Sequence, residues 1–174
     1  MPFTPYHMGP AFPVKGACGT RFSLMLYGYT QVLMDLEALY HILNRHTELH
    51  GYSHTFAGAT TIGIVALLTG KPLFEWWFRV WNQTVESINL HHMKVAERLS
   101  WKVAMGSVFF GSWMHILLDA IMHPDMHPFL PFSDQNPFLR LISVRELHLF
   151  CLITLLLGVG WVGLKWLFKK QTDE

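Results

Sequence analysis

Charged residues are scarce in this chain of 174 residues, of which only 14% are charged whereas 51% are hydrophobic. Soluble globular domains carry about 25% charged residues. The charges are nearly absent from residues 101–122 and 148–168. At about 1.5 Å per residue each of these runs can cross the hydrocarbon core of a bilayer, and residues 56–70 with their flanks nearly can. The sequence therefore predicts an integral membrane protein, with the lipid bilayer as a partner.

Cysteine is also scarce, and its scarcity excludes a disulfide-stabilised scaffold. The two cysteines, Cys18 and Cys151, lie in or beside apolar segments and are predicted to be inert buried thiols. The N-terminus lacks the basic region and the uninterrupted apolar core of a signal peptide. A formal net charge of +1 gives no indication of a nucleic-acid partner, and none is expected.

The apolar runs predict an all-α fold, a polytopic membrane helical bundle that comprises residues 1–174 as a single domain. About four long helices are expected, at residues 21–44, 56–68, 101–122 and 145–168, with a polar loop at 71–102. Thr4 followed by Pro5 marks the start of an earlier helix. Because Pro10 and Pro13 follow closely, this N-terminal helix is predicted to be short and only half-inserted.

Histidine is unusually frequent, with eleven residues, and its distribution is uneven. One group lies in the connection before the second long helix, and another surrounds the end of the third. Histidine is the commonest metal ligand, so clustering of this kind favours a metal site over scattered surface positions. The two groups consist of His41, His46, His50 and His54, and of His115, His123, His127 and His148.

The most informative stretch is residues 114–125, in which His115, Asp119 and His123 are spaced four residues apart. Such spacing places all three side chains on one slowly drifting face of a helix. An ionised Asp119 in so apolar a run is costly unless a cation, a partner charge or a raised pKa relieves it. Two interpretations remain open here, a metal site and a buried hydrogen-bonded pair of His115 and Asp119.

Two further segments offer ligands. On the first long helix Asp35 and Glu37 project about 200° apart, and Asp35 is expected to face the interior because its neighbours are apolar. Glu37 is expected beside the site or in solvent. His50 and His54 flank the turn at Gly51, which lets their rings converge. The helix that follows is capped by Ser53 or Thr55, and its N-terminal dipole favours a phosphate nearby.

The candidate ligands offer only nitrogen and oxygen donors. The lack of cysteine argues against a closed structural zinc site and favours open positions for Zn²⁺, Mn²⁺ or Fe²⁺. There are more candidates than one tetrahedral ion uses, so two divalent ions bridged by a carboxylate are expected. The candidates are His7, Asp35, His50, His54, His115, Asp119, His123 and Asp125.

The distribution of Lys and Arg predicts the orientation. Five cations lie between residues 71 and 102 and two at 169–170, whereas only Arg45, Arg140 and Arg145 fall on the side of the histidine clusters. By the positive-inside rule the clusters face away from the cytoplasm. The predicted location is thus the inner membrane, with several spans and the site on the non-cytoplasmic side.

Several motifs together resemble a known family. Met1-Pro2 followed by His7, the helix-borne Asp35, and the blocks at 50–55 and 115–119 are similar in order and spacing to those of the bacterial inner-membrane metal-dependent hydrolase family. That family is in turn similar in ligand order to zinc-dependent phospholipase C and the S1-type single-strand nucleases. The resemblance implies one metal held by Asp35, His50, His115 and Asp119 and a second bound by His7, with Asp119 bridging the two.

The resemblance also implies that His54 and His123 complete the second metal site or act as acid and base, and Asp125 is a further catalytic candidate. The predicted function is hydrolysis of a phosphoester or phosphodiester, with a phosphate-containing small molecule or a lipid-linked compound as substrate. The alternative is a non-enzymatic membrane protein that binds metal or haem, or a membrane-located regulator. Haem ligation by His54 and His115 is disfavoured because Asp35 and Asp119 are hard to place around a porphyrin.

Overall fold

The computed structural model describes residues 5–172, and over these residues the chain is helical. It forms four long α-helices and one short one, with no strand between residues 5 and 172. The prediction of an all-helical fold is therefore confirmed. Thr4, the predicted cap of the N-terminal helix, lies outside the described residues. The helices are α1 (Ala11–Cys18), α2 (Leu24–Leu43), α3 (Phe56–Ser87), α4 (Trp101–Met122) and α5 (Val144–Thr172).

Three helices are long and apolar enough to cross a membrane, namely α3, α4 and the segment Val144–Lys165 of α5. The exposed side chains of α5 are large and apolar, since Leu156 and Leu157 remain 62% and 67% exposed. Contiguous apolar surface of this kind is costly in water and stable in a lipid environment. The structure thus agrees with the prediction of a membrane protein.

The predicted loop at 71–102 is wrong in its first half, because α3 continues without interruption to Ser87. Proline inside a helix removes one hydrogen bond and usually ends it, and Pro72 gave the sequence the appearance of a helix end. Contacts made after the proline support the helix. Lys71 pairs with Glu75 one turn later at 2.6 Å, and the Asn82 amide bonds both N and O of Val95 at 2.9 Å.

Helices α2, α3 and α4 pack against one another and form the core. A buried apolar cluster lies at one end of these three helices, where Met34 and Ile116 are next in sequence to Asp35 and His115. It consists of Met34, Ala59, Ile116, Ala120 and Met126. A second cluster fills the other end and consists of Leu26, Ala66, Leu67, Ala104 and Val108.

The N-terminal helix α1 lies against α5. Two glycines permit this close approach, since a Cβ on Gly9 would lie 2.1 Å from the Cys151 carbonyl oxygen and one on Gly158 would lie 2.4 Å from the Phe12 carbonyl carbon. Cys151 is buried as expected, but Cys18 is exposed. It is the last residue of α1, where the helix ends at the surface, so the prediction that it is buried is wrong.

Candidate metal centre

Four ligand-type side chains meet in the interior at the C-terminal end of α4. His115 and Asp119 come from α4, Asp35 from α2, and His54 from the short 3-10 turn that precedes α3. Their exposures are 0%, 3%, 5% and 1%, and one donor atom of each lies within 4.8 Å of the others. We call these four residues the buried cluster. His7 adjoins it, with Nε2 3.1 Å from Asp119 Oδ1.

A second group lies next to the buried cluster and closer to the surface. His50, His123 and Asp125 place donor atoms within 4.8 Å of one another, and all three are partly buried. We call them the outer cluster. The ring centroids of His50 and His54 are 4.7 Å apart, and Asp119 Oδ1 is 3.9 Å from His123 Nε2. Asp119 therefore faces both clusters.

The structure brings together all eight candidate residues but groups them differently from the assignment that the resemblance implies. His50 was expected with Asp35, yet it belongs to the outer cluster, and His54 occupies the buried position instead. The reason is local. The 3-10 turn Tyr52–His54 carries the chain inward after Gly51, so His54 enters the interior while His50 stays at its edge.

The orientation of His115 is fixed by Gln31, a residue that the sequence analysis did not identify. The Gln31 amide nitrogen donates to the Gly111 carbonyl at 2.9 Å, which turns its oxygen toward His115 Nδ1 at 2.8 Å. The ring then donates from Nδ1, and in its neutral form Nε2 carries the lone pair. Gln31 precedes Asp35 by four residues and so shares its helix face, which was the available signal.

His54 is oriented in the same way by a chain of two acceptors. Ser53 Oγ donates to Glu37 Oε2 in a short hydrogen bond, so its oxygen is left to accept from His54 Nδ1 at 3.0 Å. Glu37 thus lies beside the site, one of the two positions expected for it. A Cβ on Gly51 would lie 2.5 Å from Glu37 Oε1, so a larger residue there would push this carboxylate away from the turn.

His50 is also oriented by a hydrogen-bond partner, which is Asp125. Asp125 Oδ2 accepts from His50 Nδ1 at 2.9 Å and from the backbone N–H groups of Leu49 and His50 at 3.1 and 3.3 Å. Burial alone would raise the pKa of Asp125, but these hydrogen bonds outweigh it and lower the pKa to about 2. An oxygen so occupied cannot supply a proton at neutral pH. Asp125 thus orients His50, and its catalytic role stays a prediction.

Burial keeps both imidazoles of the outer cluster, those of His50 and His123, neutral. Desolvation lowers the pKa of His50, and the neighbouring His54 lowers it further. Desolvation also lowers the pKa of His123. Both rings therefore offer lone pairs at neutral pH, the form in which histidine binds a metal.

The buried cluster and the adjoining His7 contain polar atoms that have no hydrogen-bond partner within the described residues. These atoms are Nε2 of His54 and His115 and both ring nitrogens of His7. His115 Nε2 lies 3.0 Å from Asp119 Oδ2 and 3.5 Å from Asp35 Oδ1. Ring nitrogens thus face carboxylate oxygens in a nearly dry interior, which is unfavourable unless a proton or a metal cation lies between them. The residues present fit a divalent metal ion.

Other predicted features have structural roles outside the clusters. Thr55 is the observed cap of α3, with its Oγ1 accepting from Gly58 N at 2.9 Å. His127 is exposed and pairs with the Asp134 carbonyl, and His148 stacks on Tyr6 at 4.7 Å between ring centroids.

Comparison of the chain with models of protein families, with curated proteins and with solved structures finds no match. The family resemblance therefore stays a prediction.

Proposed function

We propose that this chain is a membrane-embedded, metal-dependent hydrolase that binds divalent ions through the buried and outer clusters. The observation that carries the proposal is the set of unpartnered histidine nitrogens, buried against the carboxylates of Asp35 and Asp119. Imidazole nitrogen and carboxylate oxygen suit Zn²⁺ first, and Mn²⁺ and Fe²⁺ also.

The arrangement of Asp119 supports two ions rather than one. Its Oδ2 faces His115 at 3.0 Å and His54 at 3.8 Å, whereas its Oδ1 faces His7 at 3.1 Å. A carboxylate whose two oxygens face different histidines is suited to bridge two ions. The buried cluster would hold the first ion and share Asp119 with a second, to which His7 and His50 would contribute.

Divalent ions in such a site supply Lewis acidity and lower the pKa of water. The chain supplies the proton-transfer group. His54 is enclosed and oriented as a ligand, whereas His123 is partly exposed at the edge of the site. His123 is therefore the better candidate for protonating a leaving group, and Asp125 serves to hold His50.

A cavity of about 440 Å³ opens beside His50 and supports an anionic substrate. Its lining includes Arg45 and the rings of His41 and His46, which stack with centroids 4.8 Å apart. A guanidinium with neighbouring imidazoles suits a phosphate group. We therefore propose a phosphoester or phosphodiester substrate. A lipid-linked compound is accessible because the cavity lies just before the start of α3, a helix long enough to span a bilayer.

The site is further proposed to lie on the non-cytoplasmic side of the inner membrane, on the basis of the asymmetry of Lys and Arg. Haem is not part of the proposal. The ring centroids of His54 and His115 are 5.3 Å apart and Asp119 faces both rings, so no porphyrin fits between them.

The test is elemental analysis of detergent-purified protein, comparing wild type, Asp119→Ala and the control Asp134→Ala, which removes an exposed carboxylate. About two equivalents of a transition metal are expected in the wild type and the control, with loss in Asp119→Ala. Absence of metal after reconstitution would overturn the proposal. Metal without turnover of phosphomonoesters, phosphodiesters or phospholipids would instead favour the non-enzymatic metal-binding alternative.

A further inference from the structure

A cavity of about 630 Å³ lies at the opposite end of α4 from the metal centre. It is formed by one face of α3 and by the connection that leads into α4 at Trp101, while His115 and Asp119 are near the other end of that helix. Its charged lining consists of Lys71, Glu75, Arg79, Glu97 and Arg98. We call it the basic cavity.

Hydrogen bonds within the protein occupy the acids of the basic cavity but leave its arginines largely available. Glu75 accepts from Lys71 at 2.6 Å and from Leu99 N at 2.9 Å, and Glu97 accepts from the Asn82 amide at 3.1 Å. Arg79 uses only Nε, on the Glu75 carbonyl. Arg98 has no hydrogen bond or ion pair among residues 5–172. Exposed guanidinium groups of this kind bind phosphate oxygens in pairs.

An apolar cavity of about 590 Å³ adjoins the basic cavity, and Arg98, Leu99 and Ser100 line both. Its apolar lining includes Phe22, Leu24, Met25, Phe78, Val95 and Val103. A ligand that fills both cavities must therefore join an anionic group to an apolar chain.

The tryptophans on α3 and at the start of α4 indicate where this pair of cavities lies. Trp76, Trp77 and Trp81 lie on α3 among the lining residues Lys71 to Arg79 or just after them, Trp101 follows Ser100, and all four are exposed. Tryptophan is enriched where a bilayer meets water. The phosphate groups of lipids lie at the same depth. Basic pockets between helices at the cytoplasmic surface are suited to anionic lipid head groups.

We propose that the two cavities bind one anionic phospholipid, with its phosphate between Arg79 and Arg98 and an acyl chain in the apolar cavity. The proposal does not depend on the hydrolase function, because no residue is shared with the metal centre. The arginines at this face would then bind a specific ligand, in addition to setting the orientation of the chain in the membrane.

Native mass spectrometry tests the proposal on the full chain in detergent, with equimolar phosphatidylglycerol and phosphatidylcholine. The wild type is expected to retain phosphatidylglycerol preferentially, and Arg79→Gln and Arg98→Gln to lose about tenfold in its affinity each. The matched control is Lys94→Gln, which removes a cation of the same face that pairs with Glu86 at 3.1 Å outside both cavities. Circular dichroism checks that each variant remains helical.

Equal retention of the two lipids by the wild type would overturn the proposal. The same loss in Lys94→Gln as in Arg98→Gln would also overturn it, because the attraction would then be a general surface-charge effect. A second arm compares dioleoyl phosphatidylglycerol with its dihexanoyl analogue and with inorganic phosphate. Tighter binding of the long-chain lipid is expected, whereas equal binding of inorganic phosphate would identify a phosphate site and refute the lipid assignment.

Discussion

Replacing Gln31 by Met tests whether the buried cluster is built to hold a metal. Methionine has nearly the volume of glutamine but removes the oxygen that accepts from His115 Nδ1 at 2.8 Å. The ring of His115, which is fully buried, then has no acceptor for its N–H and is free to change tautomer or rotate. Loss of the Gln31 oxygen would thus disturb the direction of the Nε2 lone pair without replacing any proposed ligand.

The expected magnitude follows from the two bonds that Gln31 makes. The Gly111 carbonyl lies inside α4 and keeps its helical hydrogen bond, so its loss of the Gln31 amide is minor. The orphaned N–H of His115 costs about 1–3 kcal/mol. Removal of such orienting partners lowers metal affinity about 10- to 100-fold, and this corresponds to about 1.4–2.7 kcal/mol.

The assay is competition for Zn²⁺ between the purified protein and a chelator of known affinity. The matched control is Thr30→Val, which removes a buried hydroxyl from the adjacent position. Within residues 5–172 this hydroxyl bonds only the Leu26 carbonyl, at 2.8 Å. The control should bind Zn²⁺ as the wild type does. The reasoning would be refuted by unchanged affinity in Gln31→Met, or by an equal loss in Thr30→Val.

Three further predictions concern the same clusters and the packing of α1. Gly51→Ala places a Cβ 2.5 Å from Glu37 Oε1, so it should weaken Zn²⁺ binding in the chelator assay, while Gly106→Ala, which meets nothing within 4 Å, should not. Metal removal by EDTA should lower the thermal midpoint of the wild type, because a ligand at 100 times its Kd stabilises by about 2.7 kcal/mol, and should leave that of Asp119→Ala unchanged. Gly158→Ala crowds Phe12 at 2.4 Å and should destabilise by about 1–3 kcal/mol, whereas Gly160→Ala in open space should not; equal midpoints would contradict the proposed packing of α1 on α5.

The parts of the fold that local chemistry controls were predictable from the sequence. Helix α4 begins and ends where expected, at Trp101 and Met122, because Ser100 caps it and Pro124 follows it. The features of the fold that the sequence analysis missed depend on long-range contacts. The continuation of α3 beyond Pro72 depends on support from residues distant in sequence, such as the bonds between Asn82 and Val95.

The residues of the candidate site were predictable from the sequence, but their division into two clusters was not. Spacing on one helix places His115 and Asp119 together, since the periodicity of α4 requires it. The exchange of His50 and His54 between clusters depends on the backbone path after Gly51, which residue spacing does not determine. Gln31, and the role of Ser53 in orienting His54, were missed for a related reason, because an orienting partner is recognised by what it faces in the folded chain.

The composition of the buried cluster argues for function over stability. Replacing buried ionic groups by apolar residues of similar volume is often neutral or stabilising, and the neighbouring core of Met34, Ile116 and Met126 shows that this chain packs apolar residues there readily. Together with His7, its ligand-type side chains come from four separate segments, the turn Pro5–Met8, α2, the turn Tyr52–His54 and α4. Each segment delivers a ligand-type atom to one dry point, and the orienting partners on three histidines turn their lone pairs inward. A structural hydrogen-bonded pair of His115 and Asp119 needs none of these additional residues, whereas a metal centre uses them all.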